Sequence, residues 1–322
     1  MFGDFFVFLS PIMLLNIVFI VVGVILVLWG ADRMTDGAVA LAQRMNVPQI
    51  VIGLTIVAMG TSAPELFVSF VSAIKGTPDL AVGNVVGSNI FNAMLIVGVA
   101  AMVAPMTIAK ATVKKDIPFA VLAAVMLVLL AFDKMISRFD AAILFLLFII
   151  FMTYTLRMAK EGDNEIEEDA PKNYGVVKSV CFIALGLACL IGGSNLFVES
   201  ASRVAIELGV SEAVVGLTIV AGGTSLPELA TTVVAARKGK SAIAIGNVIG
   251  SNVFNILMIL GITGIICPMR IQGITMLDMG MMLGSVVLLW FFSFTKFKVE
   301  RWEGAVLTAI FLGYMTWLVV SA

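Results

Sequence analysis

There is no histidine anywhere in this sequence, which removes Ser-His-Asp triads, HExxH zinc sites and imidazole proton relays in one step. Charge is scarce. Only 13% of the residues are Asp, Glu, Lys or Arg, about half the share found in a soluble domain. The net charge of −1 leaves no global field to recruit nucleic acid. Cysteine is limited to Cys181, Cys189 and Cys267, each inside an apolar stretch and without metal-ligand spacing, so packed thiols are expected. The opening "MFGDFF" has no basic residue, and no small-residue cleavage site stands out before Arg33; a retained first helix is expected rather than a removed leader.

What fills the chain instead is hydrocarbon. The sequence is 61% hydrophobic with a mean hydropathy of +1.10, the composition of an integral membrane protein. Runs such as "AVLAAVMLVLLAF" and "AAILFLLFIIFMTYTL" are continuous and do not alternate with period two, so helices are indicated rather than a barrel. At about 20 residues per crossing, ten spans are expected near 13–32, 48–73, 79–104, 114–132, 140–159, 175–200, 211–236, 242–266, 275–294 and 302–321. One long hydrophilic run, "AKEGDNEIEEDAPKN", interrupts them, dividing the chain into a first five-helix set at 1–159, an acidic linker at 160–173 and a second set at 174–322.

The two sets repeat each other. "VIGLTIVAMGTSAPEL" at 51–66 returns as "VVGLTIVAGGTSLPEL" at 214–229, and "AVGNVVGSNIFN" at 81–92 returns as "AIGNVIGSNVFN" at 244–255. Both pairs are offset by 163 residues, so no insertion separates the copies. An odd number of spans per half sends the second half into the membrane the other way up. With the N-terminus outside, fifteen of the 20 Lys and Arg residues fall on the inner side, a strong positive-inside bias that puts both termini out and the linker in. The fold class expected is an all-α integral membrane protein of ten transmembrane helices, arranged as two inverted five-helix repeats. That is the build of secondary transporters, whose ion sites lie near mid-membrane where the halves meet.

Each repeat buries a glutamate. A carboxylate at the bilayer centre costs ~2.5–3.5 kcal/mol even on the lenient insertion scale, which makes a purely structural role for Glu65 and Glu228 hard to sustain. Thr61, Ser62 and Glu65 share a helical face, as do Thr224, Ser225 and Glu228. All their ligand atoms are oxygen, suiting Ca²⁺, Mg²⁺ or Na⁺. Pro64 and Pro227 remove backbone donors to Gly60 and Gly223, so both segments are expected to be broken helices whose freed carbonyls, including those near Ala58 and Ala221, add further ligands. Asn84, Ser88 and Asn92 recur every four residues, as do Asn247, Ser251 and Asn255, offering neutral oxygens. Two glutamates carry −2, which one Ca²⁺ neutralises.

Plainer readings compete. Membrane Asn and Ser residues often act as interhelical glue, for Asn89 and Asn252 as readily as coordination, and Gly83, Gly87, Gly246 and Gly250 can simply allow close packing. A nucleophilic serine in "GTS" has no histidine, nor a lysine within its segment. Asp36 and its repeat partner Glu199 fall toward span ends, where solvation is the default. The linker lacks an EF-hand's glycine at position six and reads as solvated chain. The 19 methionines are scattered through the spans and read as packing filler.

With "GTSxPE" and "GNVxGSNxxN" each present twice at matched spacing, the sequence resembles the prokaryotic sodium/calcium exchangers of the cation/calcium exchanger superfamily, over essentially its whole length. The resemblance implies exchange of extracellular Na⁺ for cytosolic Ca²⁺ across the cytoplasmic membrane by alternating access, with spans one and six sliding as gating helices. It implies Ca²⁺ at Glu65, Glu228, Thr61 and Thr224, and Na⁺ at Ser62, Ser225, Ser88, Ser251 and the carbonyls of Ala58 and Ala221. Asn92 matches a family asparagine, whereas Asn255 stands where the second repeat commonly has aspartate, which argues against a protonatable fourth acid and against K⁺ coupling. Proton-coupled relatives carry a histidine after the acid in a "GNxxE" setting; here Leu66 and Leu229 follow it. No resident cofactor, no nucleic acid and no large regulatory insert are expected, and the partners are Ca²⁺, Na⁺ and the lipid bilayer, with the chain acting as a monomer. A passive cation channel and an enzyme are the alternatives from other classes.

Overall fold

The computed structural model describes residues 11–161, 174–209 and 221–321. The expected acidic linker beyond Glu161, the first half of the seventh expected span and the first ten residues lie outside them. Helix occupies some part of each of the ten expected intervals: α1 Pro11–Met45, α2 Gln49–Thr61, α3 Ala63–Ile74, α4 Pro78–Val103, α5 Ile117–Leu130, α6 Arg138–Glu161, α7 Val176–Glu207, α8 Ala221–Gly223, α9 Leu226–Arg237, α10 Ser241–Ile266, α11 Met276–Ser293 and α12 Arg301–Ser321. Among the described residues six of these are long and apolar enough to cross a membrane, or up to seven if the bent pair α2–α3 is one span. α9 is too short to pass alone, at 12 residues, and α5, preceded without a break by the π turn Thr112–Asp116, carries Lys114, Lys115 and Asp116 at its start. This is a multi-pass integral membrane protein.

Local chemistry sets the helix ends. α3 and α9 each begin with proline in the first turn, where its missing N–H costs nothing, and stop at Lys75 and Lys238, followed by Gly76 and Gly239 at φ +78° and +73°. α11 opens with a capping box between Thr275 and Asp278. Two helices outrun the expected spans. α1 continues past residue 32 to Met45 and α7 past 200 to Glu207; Asp36, which reads as lying toward a span end, is paired with Lys238 rather than simply solvated, whereas Glu199 is exposed as expected.

The helices sort into a centre and a belt. α4 and α10 are 72% and 78% buried over their apolar windows, against 22% for α1, α6 and α7, so the first two form the core and the others meet lipid. Large apolar side chains such as Ile12, Ile25, Phe139 and Ile150 are accordingly exposed. α1 and α7 run antiparallel in extended contact. Their seam is backbone on backbone: a Cβ added at Gly30 would stand 2.7 Å from the Gly186 carbonyl, and one at Gly186 2.6 Å from that of Gly30. Gly246 and Gly250 do the same for α10 against α2, as the packing reading of these glycines expects.

Four two-residue strands were not foreseen. β1 Met106–Thr107 pairs with β4 Lys298–Val299, and β2 Met135–Ile136 with β3 Met269–Arg270. β1 and β3 are 163 residues apart, as are β2 and β4, so each half exchanges one loop strand with the other. The cysteine expectation needs one correction: all three thiols are free, but Cys181 is exposed on the apolar belt of α7 while Cys189 and Cys267 are half-buried.

Candidate cation site

The "GTSxPE" segments are broken helices. α2 and α3 meet at an angle of 47°, and the break falls on Ser62, at φ −81° and ψ 10°; Ser225, at φ −91° and ψ 7°, occupies the same place before α9. Glu65 and Glu228 therefore lie in the first turn of α3 and α9, where the helix dipole favours negative charge. Both are fully buried.

Their hydrogen bonds cross between the repeats. Ser62 Oγ donates to Glu228 Oε1 at 2.8 Å, and Ser225 Oγ donates to Glu65 Oε1 at 2.9 Å. Sequence spacing had grouped each serine with the glutamate of its own segment. Each serine holds an N-cap position but makes no side-chain cap bond, which leaves its hydroxyl for the opposite carboxylate. Ser225 Oγ also lies 3.3 Å from Ser88 Oγ, bringing α4 into the cluster.

The remaining oxygens divide into braces and unpartnered groups. Asn84 Nδ2 donates to the Glu65 carbonyl and to Ser69 Oγ, and Asn247 Nδ2 to the Glu228 carbonyl and Thr232 Oγ1. These two asparagines brace α3 and α9 through their amide nitrogens, and the Asn247 oxygen is itself engaged by Thr61. Thr61 Oγ1 lies within hydrogen-bond distance of Val57 O, Ala58 O and Asn247 Oδ1, with one proton to donate among them. The Ala58 carbonyl also receives the Ser62 N–H, and backbone N–H groups at the break reach Gly60, so the expectation of bare carbonyls there is corrected: the turn re-satisfies them. Ala221 begins the short helix α8. By contrast Glu65 Oε2, Glu228 Oε2, Thr224 Oγ1, Ser251 Oγ and both side-chain polar atoms of Asn92 and Asn255 have no hydrogen-bond partner among the described residues. Asn89 Nδ2 donates to Val85 O of its own helix and Asn252 Nδ2 toward Asn89 O across helices, while the Oδ1 atoms of both also lack a partner among the described residues, so glue and coordination both stay open for this pair.

Asn92 and Asn255 occupy the second positions of π-helical turns, Phe91–Ile96 and Phe254–Ile259. Such turns cluster at functional sites because they swing side chains off the regular helical face. The four-residue spacing concealed this; nothing in "SNxFN" announces a π turn. Two carboxylates and the hydroxyls of Ser62, Ser225 and Ser88 thus converge, with the π turns of Asn92 and Asn255 packed against α9 and α3; among the described residues no group of three or more His, Cys, Asp or Glu could hold a metal. The donor set is oxygen with a charge of −2, which fits a hard cation and offers nothing to a soft one.

Residues 15–157 and 178–320 both match the family model of the sodium/calcium exchanger protein. The chain belongs to this family. The two matched stretches begin 163 residues apart, the same offset as the motifs, so each half is a family unit. Relatives include the sodium/calcium exchanger MaX1 of Methanosarcina acetivorans, 33% identical over 93% of this chain and 97% of its own, and the inner membrane protein YrbG of Escherichia coli, 36% identical over 81% and 82%. A solved structure of the sodium-calcium exchanger NCX_Mj, soaked with Na⁺ and Ca²⁺, superposes with a TM-score of 0.83 at 30% identity, covering 94% of this chain and 98% of that one. MaX1 and NCX_Mj are both named as sodium/calcium exchangers.

Proposed function

We propose that the protein is a secondary antiporter exchanging Na⁺ for Ca²⁺ across the cytoplasmic membrane by alternating access, as a monomer of two inverted five-helix repeats with both termini outside. The observation that carries this is the pair of fully buried glutamates, each bonded through one oxygen to the other repeat and each keeping a second oxygen without a partner. Ionised carboxylates buried this way are stable only if a cation replaces the lost hydration. Reciprocal bonding is what a two-fold relation between inverted halves produces, and the names of the relatives supply the ions.

In this reading Glu65 and Glu228 neutralise one Ca²⁺, with Thr61 and Thr224 alongside. Na⁺, needing less charge, takes positions at Ser62, Ser225, Ser88 and Ser251, the Ala221 carbonyl and, when Thr61 releases it, the Ala58 carbonyl. Asn92 and Asn255 contribute neutral oxygens. Because Ser62 and Ser225 bond the carboxylates that would hold Ca²⁺, Na⁺ at the serines and Ca²⁺ between the glutamates draw on the same −2 of charge, and occupancy by one disfavours the other, which is the physical basis of exchange rather than cotransport.

The test is Ca²⁺ flux in proteoliposomes with Na⁺, H⁺ and K⁺ gradients imposed one at a time. A Na⁺ gradient alone should drive Ca²⁺ uphill. Uptake driven only by a pH gradient would establish the proton-coupled alternative, and flux that persists with no ion on the far side would make the protein a channel.

A further inference from the structure

One ionic cluster outside the cation site joins the α1–α7 pair to the rest of the molecule. Lys238, at the C-cap of α9, places Nζ 2.6 Å from Asp32 Oδ1, 2.8 Å from Asp36 Oδ1 and 3.1 Å from the Asp32 carbonyl. Arg33 pairs with Asp32 Oδ2 at 2.7 Å and lies over the rings of Trp29 and Phe182, tying α7 into the same knot. Asp36 keeps only 12% of its side chain exposed.

The 163-residue offset relates Lys238 to Lys75, Asp32 to Asn195 and Asp36 to Glu199. The counterpart positions therefore hold the same chemistry: a lysine at the C-cap of α3, and an amide and a carboxylate one helical turn apart on α7. In this structure they are separated. Lys75 is exposed and, among the described residues, forms no ion pair; Glu199 is 65% exposed and pairs with Arg203 on its own helix. Packing follows the charges, since α1 lies against α9 while α7 has no comparable contact with α3.

We propose that Lys238 with Asp32 and Asp36, and Lys75 with Asn195 and Glu199, are two alternating latches that position one moving unit, the α1–α7 pair, at its two end states. The unit moves as one body because its seam is matched at three levels: Gly23 against Gly193, Gly30 against Gly186, and Gly37 against Ser179, each with backbone oxygen 2.7–2.8 Å from where a Cβ would stand. Translation of the pair along its axis withdraws Asp36 from Lys238 and carries Glu199 toward Lys75. Exchanging the roles of the halves turns one state into the other. The proposal rests on the alternating-access reading, in which the present structure is closed at the Lys238 end.

Two experiments on the full chain test it. In proteoliposomes sorted by orientation, Lys238→Met should lower the Ca²⁺ KM at the Lys238 face and raise it at the opposite face, by about two- to fivefold, as expected when a partly exposed ion pair biases a two-state equilibrium. Lys75→Met should shift both in the reverse sense. Loss of a merely structural contact would reduce turnover without opposed KM shifts, and shifts of the same sign in both variants overturn the proposal. The second experiment needs no flux. With Cys181, Cys189 and Cys267→Ser, the pairs Asp36→Cys/Lys238→Cys and Lys75→Cys/Glu199→Cys are combined in one chain and bridged by a bifunctional thiol reagent. Either bridge should form, and formation of one should exclude the other; both bridges in the same molecule overturn the latches. Absence of exchange under every gradient would instead refute the antiporter reading, while the bridging result still decides whether the α1–α7 pair moves between the two lysine positions.

Discussion

Glu65 and Glu228 each accept one hydrogen bond from a serine of the other half and keep one oxygen that no described group satisfies. Replacing either with glutamine preserves size and one acceptor but removes a charge, leaving −1 to face a divalent ion in a buried site. Glu65→Gln and Glu228→Gln should each cut Ca²⁺ exchange by on the order of 100-fold or more, the scale of breaking a buried charge pairing. Flux of radioactive Ca²⁺ in proteoliposomes reads this directly, and near-normal exchange in either variant would place the ion elsewhere. The asparagines behave differently from one another despite identical spacing: Asn84 and Asn247 are braces, while Asn92 and Asn255 keep free polar atoms. Among the described residues, the former have bonded hydroxyl neighbours, Ser69 and Thr232, and the latter have none.

Among the elements, the half-helices and the α1–α7 seam carry the most consequence. The break at Ser62 and Ser225 is needed to point two helix N-termini at the carboxylates. The seam depends on residues with no side chain at all. Gly186→Leu would drive a branched side chain into the Gly30 carbonyl and Met34 backbone, costing about 1–3 kcal/mol or separating the helices. It should lower the Tm of the detergent-purified protein well beyond Gly192→Leu, where an added Cβ meets nothing within 4 Å. Equal Tm values for the two variants would show that the seam yields easily.

For the whole molecule, two halves hold one site between them, and the exchanged strands at the loops repeat the same reciprocity. An ion that bridges both halves stabilises the folded state by mass action, by about 2.7 kcal/mol at a hundredfold excess over its Kd. Ca²⁺ should therefore raise the Tm of the parent protein and fail to do so in Glu65→Gln. A rise of the same size in that variant would mean that the stabilising ion binds outside the paired carboxylates.

The amino-acid sequence alone determined the membrane class, the duplication and the two glutamates that the fold buries. These follow from local facts: apolar runs of span length, a constant 163-residue offset, and a carboxylate whose burial has no cheap explanation. The half-helix break was legible as well, because proline acts on its own backbone. Only the tertiary structure decided that Ser62 serves Glu228 and Ser225 serves Glu65, that Asn92 and Asn255 sit in π turns, that the Ala58 carbonyl is already occupied, and that Asp36 is clasped by Lys238 instead of water. The serine–glutamate bonds and the Asp36 clasp depend on where the other repeat lies, and spacing along the sequence cannot report a contact made across 160 residues or more; the π turns and the bonds to the Ala58 carbonyl are local backbone geometry that residue types alone do not announce.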